Sequence, residues 1–142
     1  MRIITCLTFC LLLWAPLNGV RAETVDLCDR QQATGTARRF LEHLDRQEVE
    51  TAWLLMTPHF RDLHDALTWQ EEQQTLRRVY GPLISRSSKA FSCQETFYHA
   101  PDGNYAIVQF DSTFQNKRKA IETVILDLRE PGLREIADIR MN

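Results

Sequence analysis

Three turn signals in the second half of the chain constrain its fold more than any other feature. Pro101-Asp102-Gly103-Asn104, the polar run from Gln115 to Lys119, and Glu130-Pro131-Gly132 cut an apolar-rich stretch into four segments of strand length. Proline lacks the amide that an interior strand must donate, and glycine, asparagine and aspartate favour chain reversal. Four strands joined in order by short turns make an antiparallel meander. The half before them carries helical rather than alternating spacing. A helical half followed by a strand half predicts an α+β fold, with N-terminal helices packed on one face of a curved four-stranded antiparallel sheet. Such a shape is a cone with a pocket or groove.

Ala37, Phe40, Leu41 and Leu44 repeat at i, i+3, i+4, i+7, with Arg38, Arg39, Glu42 and Asp45 on the other side. Val49, Ala52, Trp53 and Met56 resume the pattern after a break near Gln47. Thr57-Pro58 reads as an N-cap followed by proline in the first helical position, opening a short helix that buries Phe60 and Leu63. Thr68-Trp69-Gln70-Glu71 has the form of a capping box. It predicts a helix that buries Trp69, Leu76 and Val79 or Tyr80 and stops at Gly81-Pro82. In the strands, Ala106, Val108, Phe110 and Phe114 share one face, while Tyr105, Gln109, Asp111 and Thr113 share the other. Val124, Leu126 and Leu128 form one face of the third strand. Matching apolar faces predicts Phe110 beside Val124 and Val108 beside Leu126, and it places Glu122 near Ser112 on an otherwise apolar face.

The N-terminus reads as an export signal. Met1-Arg2 is followed by an apolar run to about Leu17, and Val20 and Ala22 are small enough for cleavage after Ala22. The run is shorter than the ~20 residues that span a bilayer, so residues 1–22 are expected to be removed and residues 23–142 to form a single α+β domain, periplasmic or secreted. Loss of Arg2 and Arg21 leaves 15 basic against 19 acidic residues. That balance lacks the basic footprint that nucleic acid or anionic lipid requires. Two cysteines survive, Cys28 and Cys93. In an oxidising compartment the pair invites a disulfide between the first helix and the first strand. The alternative is a small buried thiol at Cys93 and a terminal thiol at Cys28.

Gly81-Pro82-Leu83 with Arg86, then Pro101-Asp102-Gly103-x-Tyr105, Gln109-Phe110-x-x-x-Phe114, Lys117 and Glu122-Thr123-Val124 resemble a family of exported bacterial domains of unknown function. Trp53, Phe60 and Trp69 fall where that family also carries aromatics. The resemblance covers essentially the whole mature chain and implies kinship to the cone-shaped fold of nuclear transport factor two and ketosteroid isomerase. Ile84 stands where the family commonly has glycine, and the Cys28/Cys93 pair looks like an addition. The resemblance implies a fold and a compartment, but no activity.

Glu122 is the titratable group of greatest interest. Inside the cone, with a pKa raised by burial, it would be a general base or a ligand acceptor. Neutralised by Arg78, Arg86 or Lys119, or standing at the rim near Ser112, it would serve structure alone. Asp111 and Asp127 alternate onto the opposite, solvated face. Tyr98 and Tyr80 could face an acid in the cone as oxyanion donors. Trp53, Trp69, Tyr98, Arg86 and Glu122 are therefore the candidate ligand-binding set, with Trp53, Trp69, Phe60, Phe91 and Phe97 serving as cavity lining or simply as core. His59 and His64 are five residues apart and do not share a helix face, so no metal site is expected, and no motif calls for a cofactor. The reading is a non-catalytic module for a small apolar ligand or an envelope protein. The sheet side bearing Gln109, Asp111 and Thr113 offers a homodimer face. The alternative is a small isomerase or dehydratase with Glu122 as its base.

Overall fold

The computed structural model describes residues 28–97, 100–130 and 134–142. The expected signal peptide at residues 1–22 and the candidate Tyr98 lie outside the described residues. Four helices, α1 (Arg30–Asp45), α2 (Val49–Leu54), α3 (Pro58–Leu63) and α4 (Ala66–Tyr80), precede four strands. These are β1 (Leu83–Gln94), β2 (Tyr105–Phe114), β3 (Ala120–Asp127) and β4 (Glu135–Met141), which form one antiparallel sheet in the order β1-β2-β3-β4. The α+β meander expected from the turn signals is the fold observed.

Side-chain oxygens start three of the helices. Asp29 accepts from Gln32 N at 3.0 Å and Thr57 from Phe60 N at 3.2 Å, with Pro58 next in line. For α4 the cap is Asp65, not Thr68, because Ala66 is already helical and Asp65 Oδ1 accepts from both Thr68 N and Thr68 Oγ1 at 2.8 Å. The capping box is therefore displaced, with Thr68 in the third helical position. The face of α4 differs accordingly. Trp69 and Arg77 are buried, Leu76 is half-buried, and Val79 is 61% exposed. Leu63, expected inside, is 63% exposed.

The core forms where α1 lies on the helix-facing side of the sheet. Ala33, Ala37, Phe40, Leu41 and Leu44 meet Ala106, Val108, Phe110, Val124, Leu126 and Ile136, all essentially inaccessible. Each large side chain in this set contributes about 1.5–3 kcal/mol by leaving water. The β2–β3 register pairs Val108 with Val124 and Phe110 with Glu122, two residues from the expected pairing. The face is unchanged, because a slip of two preserves the alternation. The connection is tighter than apolar matching alone suggests. Phe114 and Lys117 close it with reciprocal backbone hydrogen bonds of 2.8 and 3.3 Å.

The segment between α2 and α3 joins the sheet beyond β4. Thr57 N donates to Ile136 O at 2.8 Å and Ile136 N to Leu55 O at 2.9 Å, so Met56 bridges Ile136 in parallel. Strand β1, at the other edge, carries irregularities between Leu83 and Ser85 and between Ser88 and Ala90. Such bulges blunt an open edge against pairing. The outer face of the sheet is partly covered by the chain itself. Phe97 packs 6.0 Å from Tyr105 and lies under the Arg140 guanidinium at 5.3 Å, and Tyr105 and Ile125 are 1% exposed. Asp127, expected in solvent, is buried there against Arg129 at 2.5 Å, whereas exposed Asp111 pairs with Lys89 at 2.7 Å. Cys28 and Cys93 form a disulfide with a Cα–Cα distance of 6.3 Å, tying the start of α1 to the far end of β1.

Candidate functional site

A row of polar side chains crosses the helix-facing side of the sheet at the end where α4 enters β1. Arg86 of β1 stands opposite Ser112 of β2, and Glu122 of β3 lies diagonally beyond. Two helices close over the row. Asp45 is the last residue of α1 and continues the four-residue row Ala33, Ala37, Leu41; Arg77 follows Trp69 and Gln73 on α4 by the same step.

The contacts form one network of two cations and two anions. Arg86 is a double fork. Its Nε and Nη2 donate to Glu122 Oε2 and Oε1 at 2.6 and 3.1 Å, while Nη1 and Nη2 donate to Asp45 Oδ2 and Oδ1 at 2.7 and 3.1 Å. Arg77 Nη1 donates to Asp45 Oδ1 at 3.0 Å. Arg77 Nη2 lies 2.9 Å from Glu122 Oε1 as an ion contact, but its N–H groups are not aligned on that oxygen. Ser112 Oγ donates to Glu122 Oε2. The Arg77 guanidinium also stands 5.4 Å over the Phe114 ring, which packs on Tyr80. The side chains of Arg77 and Arg86 are 3% exposed, that of Asp45 is 17% exposed, and that of Glu122 is wholly enclosed.

Burial by itself pushes the Glu122 carboxyl upward. The Arg86 hydrogen bond, the charges of Arg77 and Arg86 and the Ser112 hydroxyl outweigh it, so the net displacement is below the ordinary carboxylate range. Burial likewise opposes the charge on Arg86, and its hydrogen bonds to Asp45 and Glu122 raise its pKa overall. This is the reverse of the raised acid that proton abstraction near neutral pH requires. Both oxygens of Glu122 are engaged. The network reaches solvent at Asp45, beside a shallow depression of about 290 Å³ lined by Arg77, Arg78, Gly81 and Pro82.

The sequence-predicted ligand set divides. Arg86 and Glu122 are brought together, as partners of each other. Trp53 and Trp69 sit elsewhere, with ring centroids 5.5 Å apart, and Phe60 completes the cluster at 6.1 Å from Trp53 and 6.3 Å from Trp69. His64 stacks on Phe60 at 4.0 Å. Phe91, half-buried, takes the Arg30 guanidinium at 5.1 Å, and Phe97 lies on the outer face of the sheet. The cation that joins Arg86 on Glu122 is Arg77, not Arg78 or Lys119. Arg77 and Asp45 are the members that amphipathic reading assigned to the outside or passed over. Their four-residue rows were the available signal. A separate groove of about 940 Å³ runs between α1 and the start of β4, floored by Phe40, Leu55 and Ile136 and flanked by Arg39 and Arg134.

No curated protein and no solved structure matches the chain. A family model does, over residues 36–134, a span that contains Asp45, Arg77, Arg86, Ser112 and Glu122 and excludes Cys28. The chain belongs to a family of proteins of unknown function, DUF4019.

Proposed function

We propose that the protein is an exported, non-catalytic interaction module that acts through its outer surface. One observation carries this reading. The carboxylate that the sheet contributes to the helix-facing side, Glu122, is enclosed and held as an anion by two arginines and a serine. A buried charge set of this kind fixes the relative placement of α1, α4 and the sheet, a role in specificity rather than turnover. The kinship to the cone fold of nuclear transport factor two is part of the same reading, supported by the element order. Export is supported by the N-terminal signal pattern and by the disulfide, which persists in oxidising compartments.

A ligand-binding role is favoured at a different place from the one sequence suggests. The groove between α1 and β4 combines an apolar floor with two guanidinium groups, and it suits a small molecule better than the enclosed surroundings of Glu122 do.

The test is complementation of a deletion strain with the double variant Arg86→Met/Glu122→Leu, which leaves Asp45 and Arg77 as a balanced pair. An interaction module complements fully at wild-type abundance. Loss of complementation by a variant with wild-type abundance and melting temperature would return Glu122 to the role of a reacting group.

A further inference from the structure

The outer face of α4 remains to be accounted for. Leu67, Glu71, Thr75 and Val79 form a four-residue row that is exposed along its whole length, with Leu67 at 71% and Val79 at 61%. Half-buried Leu76 and exposed Glu72 lie alongside, and the row borders an apolar depression of about 440 Å³. Leu63, 63% exposed, stands four residues before Leu67 across the α3–α4 break. Five of the six large apolar residues exposed among the described residues fall between 54 and 79. Of these, Leu55 belongs to the groove between α1 and β4, while Leu67 and Val79 lie on the exposed row of α4, where an apolar depression is a candidate contact site.

The charge around it selects the occupant. The α3–α4 surface carries four exposed acids, Asp62, Asp65, Glu71 and Glu72, against half-buried Arg61 and exposed Arg78, which donates to Thr75 Oγ1 of the row at 3.1 Å. A second copy of this chain would bring like charges together on docking here, and an anionic lipid surface would be repelled. A shallow apolar depression with Glu71 and Glu72 in its lining matches a helix that presents leucine-type residues at i, i+3, i+4, i+7 between lysines or arginines.

We propose that the outer face of α4 is the docking surface of this module, and that its partner is a cationic amphipathic helix of another protein. The inference rests on the interaction-module reading and names its surface and partner class.

The experiment places a photo-crosslinking amino acid at Thr75 in the full-length chain, expressed in its native host, with Gln109 on the outer sheet face as the comparison position. The expected result is an adduct from Thr75 to a different protein, mapped by mass spectrometry to a Lys/Arg-rich segment of helical apolar spacing. Glu71→Lys/Glu72→Lys and Leu67→Ser/Val79→Ser, each with a wild-type melting curve, lower the adduct yield about tenfold, as the loss of about 1.4 kcal/mol of binding implies. An adduct from Thr75 to a second copy, to lipid, or to an acidic or non-amphipathic segment overturns the proposal. So does a yield unaffected by the charge reversal. An adduct from Gln109 with none from Thr75 overturns this surface and leaves the module reading in place. No protein adduct from either position removes both.

Discussion

Glu122→Gln isolates the role of the buried charges. The substitution keeps the shape of the side chain and one carbonyl acceptor, but it removes the anion that Arg86 and Arg77 share. What remains is two largely enclosed guanidinium groups against Asp45 alone. Breaking a buried ion pair from one side costs about 3–5 kcal/mol. Asp45 still holds Arg86 through two hydrogen bonds, so the lower end, about 3 kcal/mol, applies here. With a urea dependence of about 1.5 kcal/mol per M, the unfolding midpoint falls by about 2 M. Circular dichroism of the disulfide-bonded chain across a urea series reads it directly. The double variant Arg86→Met/Glu122→Leu removes one charge of each sign and is expected within about 1 kcal/mol of wild type, since buried pairs exchanged for packed apolar groups are often neutral. A Glu122→Gln chain less than about 1 kcal/mol below wild type would refute the claim that this anion is required. So would a double variant less stable than the single one.

The folded pKa of Glu122 lies below the ordinary value of 4.5, so its contribution is complete above that pH and is lost as pH falls through the folded value. Acid titration of stability is expected to show a steeper loss below pH 4.5 in wild type than in Glu122→Gln. Replacing Cys28 and Cys93 with serine opens a 65-residue span and is expected to cost about 4 kcal/mol by loop entropy, read as the difference between variant and oxidised wild type in the same urea assay. Gln47 has a φ of 63°, so Gln47→Gly is expected to raise stability by about 0.5–1 kcal/mol, seen as a higher melting temperature.

The fold was legible because its signals are local. The turn residues that separate the strands, the α1 stripe Ala37-Phe40-Leu41-Leu44 and the Thr57-Pro58 cap each act over a few residues, and tertiary packing agrees with them. The displaced features have two causes, one local and one tertiary. Thr68-x-x-Glu71 is a valid capping box, but Asp65 presents the same chemistry one turn earlier and captures the Thr68 amide first. Leu76 and Val79 are better apolar residues than Arg77. The helix nevertheless turns Arg77 inward, because Glu122 and Asp45 await it there and the Phe114 ring takes its flat face. Glu122 was visible as a carboxylate on an apolar face. Arg86 and Ser112 were within reach of strand reasoning, whereas Arg77 and Asp45 were harder to find, since they arrive on two helices distant in sequence from Glu122. Binary patterning sorts arginine and aspartate to the outside, and it has no means of recognising a pair that cancels across tertiary contacts.

The disulfide also sets how the chain responds to being pulled. Cys28 and Cys93 close a covalent ring that holds all four helices and β1, while β2, β3 and β4 lie on the 49-residue tail beyond it. Tension applied between residue 28 and the C-terminus can extend the tail alone, to about 170 Å at ~3.5 Å per residue. Ring and tail separate only when the β1–β2 pairing, the packing of α1 on β2 and β3, the backbone bonds of Leu55 and Thr57 to Ile136 and the arginine contacts to Glu122 have all broken. After that the helical layer is a closed loop outside the load path.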